Sequence, residues 1–139
     1  KMIEENLSSV GLEKAATVLT YKVPADYGGY MDVYPNQADK SAINSQVDLS
    51  KAYALTKKYA GRLRVYPGSM EIRNGRTYAL KSRAVGILGI GGSIEEARQI
   101  SQEGAKAITG GALWNRTDIA SKQHIGKSIS HMDSLRRKA

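Results

Sequence analysis

The dipeptide Asn74-Gly75 constrains this chain more than any other local feature. Both central positions of a type I′ turn need positive φ, which Asn and Gly adopt cheaply. The twist of that turn then brings the flanking segments together as an antiparallel pair. The flanks, residues 69–73 and 76–80, suit the role. Met70 and Ile72 alternate with Glu71 and Arg73, as in a half-exposed hairpin. A hairpin in mid-chain argues for an antiparallel sheet and against a doubly wound parallel one.

The other elements follow from periodicity and punctuation. Residues 15–23 read as a strand ended by Pro24, with Thr17, Leu19, Tyr21 and Val23 pointing one way. Residues 31–34 read as a short strand. Residues 36–46 are polar and aperiodic and read as a loop. Asp48 reads as the N-cap of a helix over 49–60, stopped by Gly61. Residues 63–66 form a strand candidate. Residues 84–90 are a continuous apolar run, the pattern of a buried central strand. Ser93-Ile94-Glu95-Glu96 is a capping box, with Glu96 expected to reach back to the Ser93 N–H. It opens a helix to about residue 109 with an apolar stripe of Ile94, Ala97, Ile100, Gly104/Ala105 and Ile108. Residues 112–114 are extended. A last helix is expected from near Thr117, with Ile125, Ile129, Met132 and Leu135 on its apolar face. The expected class is α+β: an antiparallel sheet with about three packed helices.

At 139 residues the chain has the length of one domain. No apolar run approaches the ~18 residues of a membrane helix. There is no cysteine, hence no disulfide and no thiolate metal site. The polar first residues carry no secretory signal, and a cytoplasmic setting is expected. Position 1 is Lys, which suggests an excised piece or a processed terminus.

The net charge of +8 suits a polyanionic partner. Much of the excess falls on the last helix, at Lys122, Lys127, Arg136, Arg137 and Lys138, where cations complement the helix dipole. No base-stacking Phe ridge is available, because the chain has no Phe. A stand-alone nucleic-acid-binding module is therefore the competing class, supported by charge but by no reader motif. A scaffold or dimerisation domain is a third.

Few constellations can carry chemistry. Gly86-Ile87-Leu88-Gly89-Ile90-Gly91-Gly92 fits neither G-x-G-x-x-G nor the P-loop, and reads as a tight turn from a buried strand into a capped helix. His124 and His131 stand about 10 Å apart along one helix, too far for one metal. Two arginines are better placed. Arg83 stands at the mouth of the buried strand, within reach of a phosphate or carboxylate. Arg116 lies in Trp114-Asn115-Arg116-Thr117-Asp118-Ile119, with Asp118 expected in the first turn of the last helix. Tyr27, Tyr30 and Tyr34 form a further candidate contact loop.

Several segments in order carry a resemblance. They are Ala16-Thr17-Val18-Leu19 leading to a Pro and a Tyr-Gly loop, then Leu63-Arg64-Val65-Tyr66. Ser82-Arg83-Ala84-Val85-Gly86-Ile87-Leu88-Gly89 follows, then the Ser-Ile-Glu-Glu-Ala helix start, Trp114 to Ile119, and Ile129-Ser130-His131-Met132. Over residues 14–137 the chain resembles the C-terminal domain of phosphoribosylamine–glycine ligase, the glycinamide ribonucleotide synthetase of purine biosynthesis, in its archaeal form. Ser82-Arg83-Ala84-Val85 stands where many members carry Gly-Gly-Arg-Val. Ala120 stands where the family usually has Gly, and 36–46 matches no family motif.

The resemblance implies an antiparallel barrel-like sandwich with helices outside. It implies a C-terminal fragment of an ATP-grasp ligase that joins glycine to 5-phosphoribosylamine through a glycyl phosphate. ATP and Mg²⁺ would be held by an upstream module that this chain lacks, so no cofactor is expected on it. Its expected partners are the remaining domains and the small-molecule substrates, not nucleic acid or membrane. The domain would close one wall of the active site, with Arg83, Arg116 and Asp118 as substrate-binding residues.

Overall fold

A computed structural model describes residues 11, 13–25, 27 and 45–137. The 31–34 strand, Tyr30, Tyr34, Lys138 and most of the 36–46 loop lie outside the described residues. Six strands and three helices follow one another along the described chain. They are β1 (Ala16–Pro24), α1 (Ser50–Lys58), β2 (Leu63–Pro67), β3 (Met70–Arg73), β4 (Arg76–Ala79), β5 (Val85–Gly91), α2 (Ile94–Lys106), β6 (Leu113–Trp114) and α3 (Lys122–Arg136).

The strands form two open antiparallel sheets, a four-stranded one in the order β2-β5-β1-β6 and the β3-β4 hairpin. With three helices this is the expected α+β class. Asn74 and Gly75 take φ of 50° and 72°, as a type I′ turn requires. The apolar run becomes the central strand β5, where Val85 and Ile87 are fully buried. In β1, Thr17, Leu19 and Tyr21 share the outer face while Val18 and Thr20 point inward. Val23 does not stay on the outer face. It is buried where β1 leaves β5 to pair with β6.

One face of the larger sheet carries the core. Leu63, Val85 and Ile87 meet Leu49, Ala52, Ile100, Ala105 and Ile108 there. α2 lies so close to β5 that a Cβ on Gly89 would stand 2.0 Å from the Ala97 carbonyl oxygen. Gly89 and Gly91 thus serve the approach of α2 to the strand as well as the turn. Among the described residues, Leu19, Tyr21 and Tyr66 remain substantially exposed on the opposite face.

Several boundaries and caps differ from the sequence reading. α1 is capped geometrically at Leu49, although the Asp48 carboxylate still accepts the Ser50 N–H at 2.8 Å. α2 ends at Lys106, because Thr109 is drawn into a bridge with Asp48. Only half of the capping box forms. Ser93 Oγ accepts the Glu96 N–H at 3.2 Å, but Glu96 turns to the Gly92 N–H (2.8 Å) and to Arg62 (2.6 Å).

The last helix departs most. It starts at Lys122, capped by Ser121, whose Oγ accepts the His124 N–H at 3.1 Å. Ala120 takes φ of 56°, a left-handed conformation that prevents the helix from reaching back to Thr117. Its expected apolar face is not buried either. Ile129, Met132 and Leu135 are 57%, 47% and 48% exposed, and α3 buries no residue among those described.

Candidate functional site

Residues far apart in sequence converge at the β6 end of the sheet. Leu19, Thr20, Tyr21 and Val23 of β1, with Tyr27, Arg83, Trp114, Arg116 and Ile119, line an open cavity of about 260 Å³. Both arginines singled out in the sequence are among them. Arg83 arrives from the segment between the hairpin and β5, whose backbone is fixed by the Arg83 carbonyl accepting the Ser69 N–H at 2.9 Å. Arg116 arrives from the stretch that joins β6 to α3.

Each guanidinium is held by a different chemistry. That of Arg83 lies over the Tyr21 ring, 5.3 Å from its centroid, a cation–π arrangement. The Tyr27 hydroxyl first, and the Tyr21 hydroxyl with it, raise the pKa of Arg83 above its ordinary value. Arg116 donates from Nε to Asp118 Oδ1 at 2.9 Å and from Nη2 to Oδ2 at 2.7 Å, a bidentate fork. That hydrogen bond, with some Coulombic help, holds the Asp118 carboxyl below the usual carboxylate range, against the opposing effect of its partial burial.

Asp118 is therefore not a dipole partner of the last helix, as its sequence position suggested, since that helix begins beyond it. Its role in the structure is to orient Arg116. The Trp114 ring is buried at 3% exposure, and its Nε1 donates to the Pro24 carbonyl at 3.2 Å, closing β6 onto the end of β1.

The sequence reading missed the polar residues behind this wall. Ser101 and Gln102, on the buried side of α2, are 0% and 8% exposed. The Ser101 and Thr20 hydroxyls share a 2.7 Å hydrogen bond, and Ser101 Oγ also reaches the Ile87 carbonyl at 2.8 Å. Gln102 Nε2 donates to Thr20 Oγ1 and to the Arg116 carbonyl, both at 3.2 Å. A polar pair beside an apolar helical stripe was the available signal. A helix-period count of apolar residues passes over it.

Among the described residues, no group of three or more His, Asp or Glu can hold a metal ion. None of the described helices is long and apolar enough to cross a membrane. Asp118, Glu96 and Glu103 are each engaged by a different cation, Arg116, Arg62 and Lys58 respectively.

Fold and site together define a small α+β element whose cavity sets two arginines among Tyr21, Tyr27 and Trp114. Comparison with known proteins is more particular. The chain is 35% identical over 128 residues to the phosphoribosylamine–glycine ligase of Methanocaldococcus jannaschii, covering 92% of this chain and 26% of that protein. It is 32% identical over 127 residues to the ligase of the same name from Methanocella arvoryzae, and 31% identical over 128 residues to that of Methanoregula boonei. The similarity read from sequence motifs thus extends over nearly the whole chain. The chain spans about a quarter of the length of these curated relatives. No protein-family model matches it.

Proposed function

We propose that this chain is the C-terminal domain of a phosphoribosylamine–glycine ligase, the ATP-dependent enzyme that joins glycine to 5-phosphoribosylamine in purine biosynthesis. The observation that carries the reading is the match to archaeal ligases of that name across about nine-tenths of the chain. The cavity supports it independently. Every substrate of the reaction that bears phosphate is an anion, and prearranged cations steady anionic groups and the charge that develops on them. Arg116, held by Asp118, and Arg83, lying over the Tyr21 ring, supply two such cations on one wall. ATP and Mg²⁺ belong in this reading to the other three quarters of the ligase, so this chain's part is to bind and orient.

A chimeric enzyme tests it. This chain replaces the matching quarter of the Methanocaldococcus jannaschii ligase, and ADP release is followed with ATP, Mg²⁺, glycine and phosphoribosylamine. The chimera should turn over with both substrates required, and the chain by itself should not. A folded chimera without turnover, or turnover by the isolated chain, refutes the proposal.

A further inference from the structure

The stretch that carries Arg116 and Asp118 joins β6 to α3. Between β6 and α3, the Asp118 carbonyl accepts the Ser121 N–H at 2.9 Å. The carbonyls before it are taken by side chains of α2. Gln102 Nε2 donates to the Arg116 carbonyl at 3.2 Å, and Arg98 Nη2 donates to the Thr117 carbonyl at 2.8 Å. Positions 98 and 102 are one helical turn apart, so they project from the same face of α2. Two successive carbonyls are thus held by two successive turns of one helix.

The Gln102 end is also anchored and oriented. Its Oε1 accepts from Asn115 Nδ2 at 3.3 Å, and the same Asn115 amide donates to the Arg116 carbonyl at 3.2 Å. Behind it, Thr20 and Ser101 join the network to β1 and to the β5 backbone. Arg98 holds its guanidinium in place although its buried Nε has no partner among the described residues. A buried donor left unmatched is a cost that a freely solvated arginine avoids.

We infer that Gln102 and Arg98 are positioning residues, a clamp on α2 that fixes the 115–118 stretch and so aims the Arg116–Asp118 fork into the cavity. Gln102 is not among the residues that line the cavity; it acts through Arg116. The clamp stands on geometry alone. Its consequence for ligand binding rests on the anion-site reading proposed above.

The test uses the 139-residue chain. Gln102→Met keeps the length of the side chain and removes its hydrogen bonds. Arg98→Met removes the second contact from a partly exposed site, so a folding failure at Gln102 does not leave the question open. Backbone order parameters of residues 116–119 are measured by ¹⁵N relaxation. Wild type should be as rigid there as β5, near ~0.85, and either variant should fall toward ~0.6 or lower at 116–119 while β5 stays unchanged. Wild-type values already low at 116–119, or variants that match wild type, or loosening spread evenly over the chain, overturn the clamp.

Ligand binding is read separately through Trp114, the single tryptophan, which lines the cavity. Titration with ribose 5-phosphate should change its fluorescence in wild type. Arg116→Ala should abolish the response, and Gln102→Met should weaken affinity about tenfold. A wild type that does not respond, or an Arg116→Ala that binds normally, overturns the anion site while the relaxation data still decide the clamp.

Discussion

Replacing Gly89 by Ala tests the contact on which the whole site depends. The added Cβ would lie 2.0 Å from the Ala97 carbonyl oxygen, 2.7 Å from the Ser101 nitrogen and 3.1 Å from the Ala97 carbonyl carbon. All three are backbone atoms, so no rotamer change relieves the clash. Restoring a C···O separation of about 3.3 Å moves α2 off β5 by roughly 1.3 Å. A gap of about 1 Å forfeits up to half of each dispersion contact along the interface. The residues on that side of α2 include Ala97, Ile100, Ser101, Gly104 and Ala105, all buried. Overpacking against rigid backbone should then cost about 3 kcal/mol or more. For a chain of this size that lowers Tm by about 10 °C. Thermal unfolding followed by circular dichroism reads it directly. Gly126→Ala is the control, since nothing lies within 4 Å of a Cβ there. It sits inside α3 and should be neutral or stabilise by up to about 1 kcal/mol. Gly89→Ala melting within about 2 °C of wild type would refute the packing of α2 on β5 described here, and with it the clamp on Arg116.

Three further outcomes follow from the site. Arg116→Ala or Arg83→Ala in the complete ligase should each cost tenfold or more in activity, about 1.4 kcal/mol in the barrier, with less than about 1 kcal/mol lost in folding stability. Asp118→Asn should be milder; variants that melt several degrees early yet turn over normally would assign these groups to packing instead. Asp118, Glu96 and Glu103 are all held below the usual carboxylate range, first by Arg116, by the Gly92 N–H and by the Tyr59 hydroxyl respectively. Their stabilising contribution is complete above about pH 5, past the ordinary carboxylate values, and is lost as pH falls through their lowered values. Tm measured from pH 6 to 2.5 should therefore drop in that acid range, and Asp118→Asn should drop less steeply; equal slopes would refute the role of the Arg116 pair. Ala120→Gly should raise Tm by a degree or two or leave it unchanged, because relief of a left-handed Ala worth about 1–2 kcal/mol exceeds the entropic cost of Gly, about 0.5–1 kcal/mol. A fall of more than about 3 °C would show that the turn before α3 is not left-handed.

The sequence by itself determined what is set within a few residues. Asn74-Gly75 dictated its hairpin because only certain residues accept two positive φ values in succession. The apolar run ending at Ile90 declared itself the central strand, and Ser93 announced the start of α2. Arg83, Arg116 and Asp118 stood out as charges at element ends.

Tertiary structure decided everything that depends on which surfaces meet. That Arg83 and Arg116 share one cavity follows from the order β2-β5-β1-β6, which no local pattern encodes. Glu96 left its capping partner for the neighbouring Gly92 N–H and for Arg62, which only the fold brings beside it. The stripe Ile129, Met132 and Leu135 was legible as apolar, yet periodicity states only that a helix has such a face. Whether a face is buried depends on what packs against it, and within the described residues nothing buries this one. Gln102 escaped notice for the same reason: an amide gains its role only when a strand hydroxyl and a loop carbonyl, distant in sequence, are folded to either side of it.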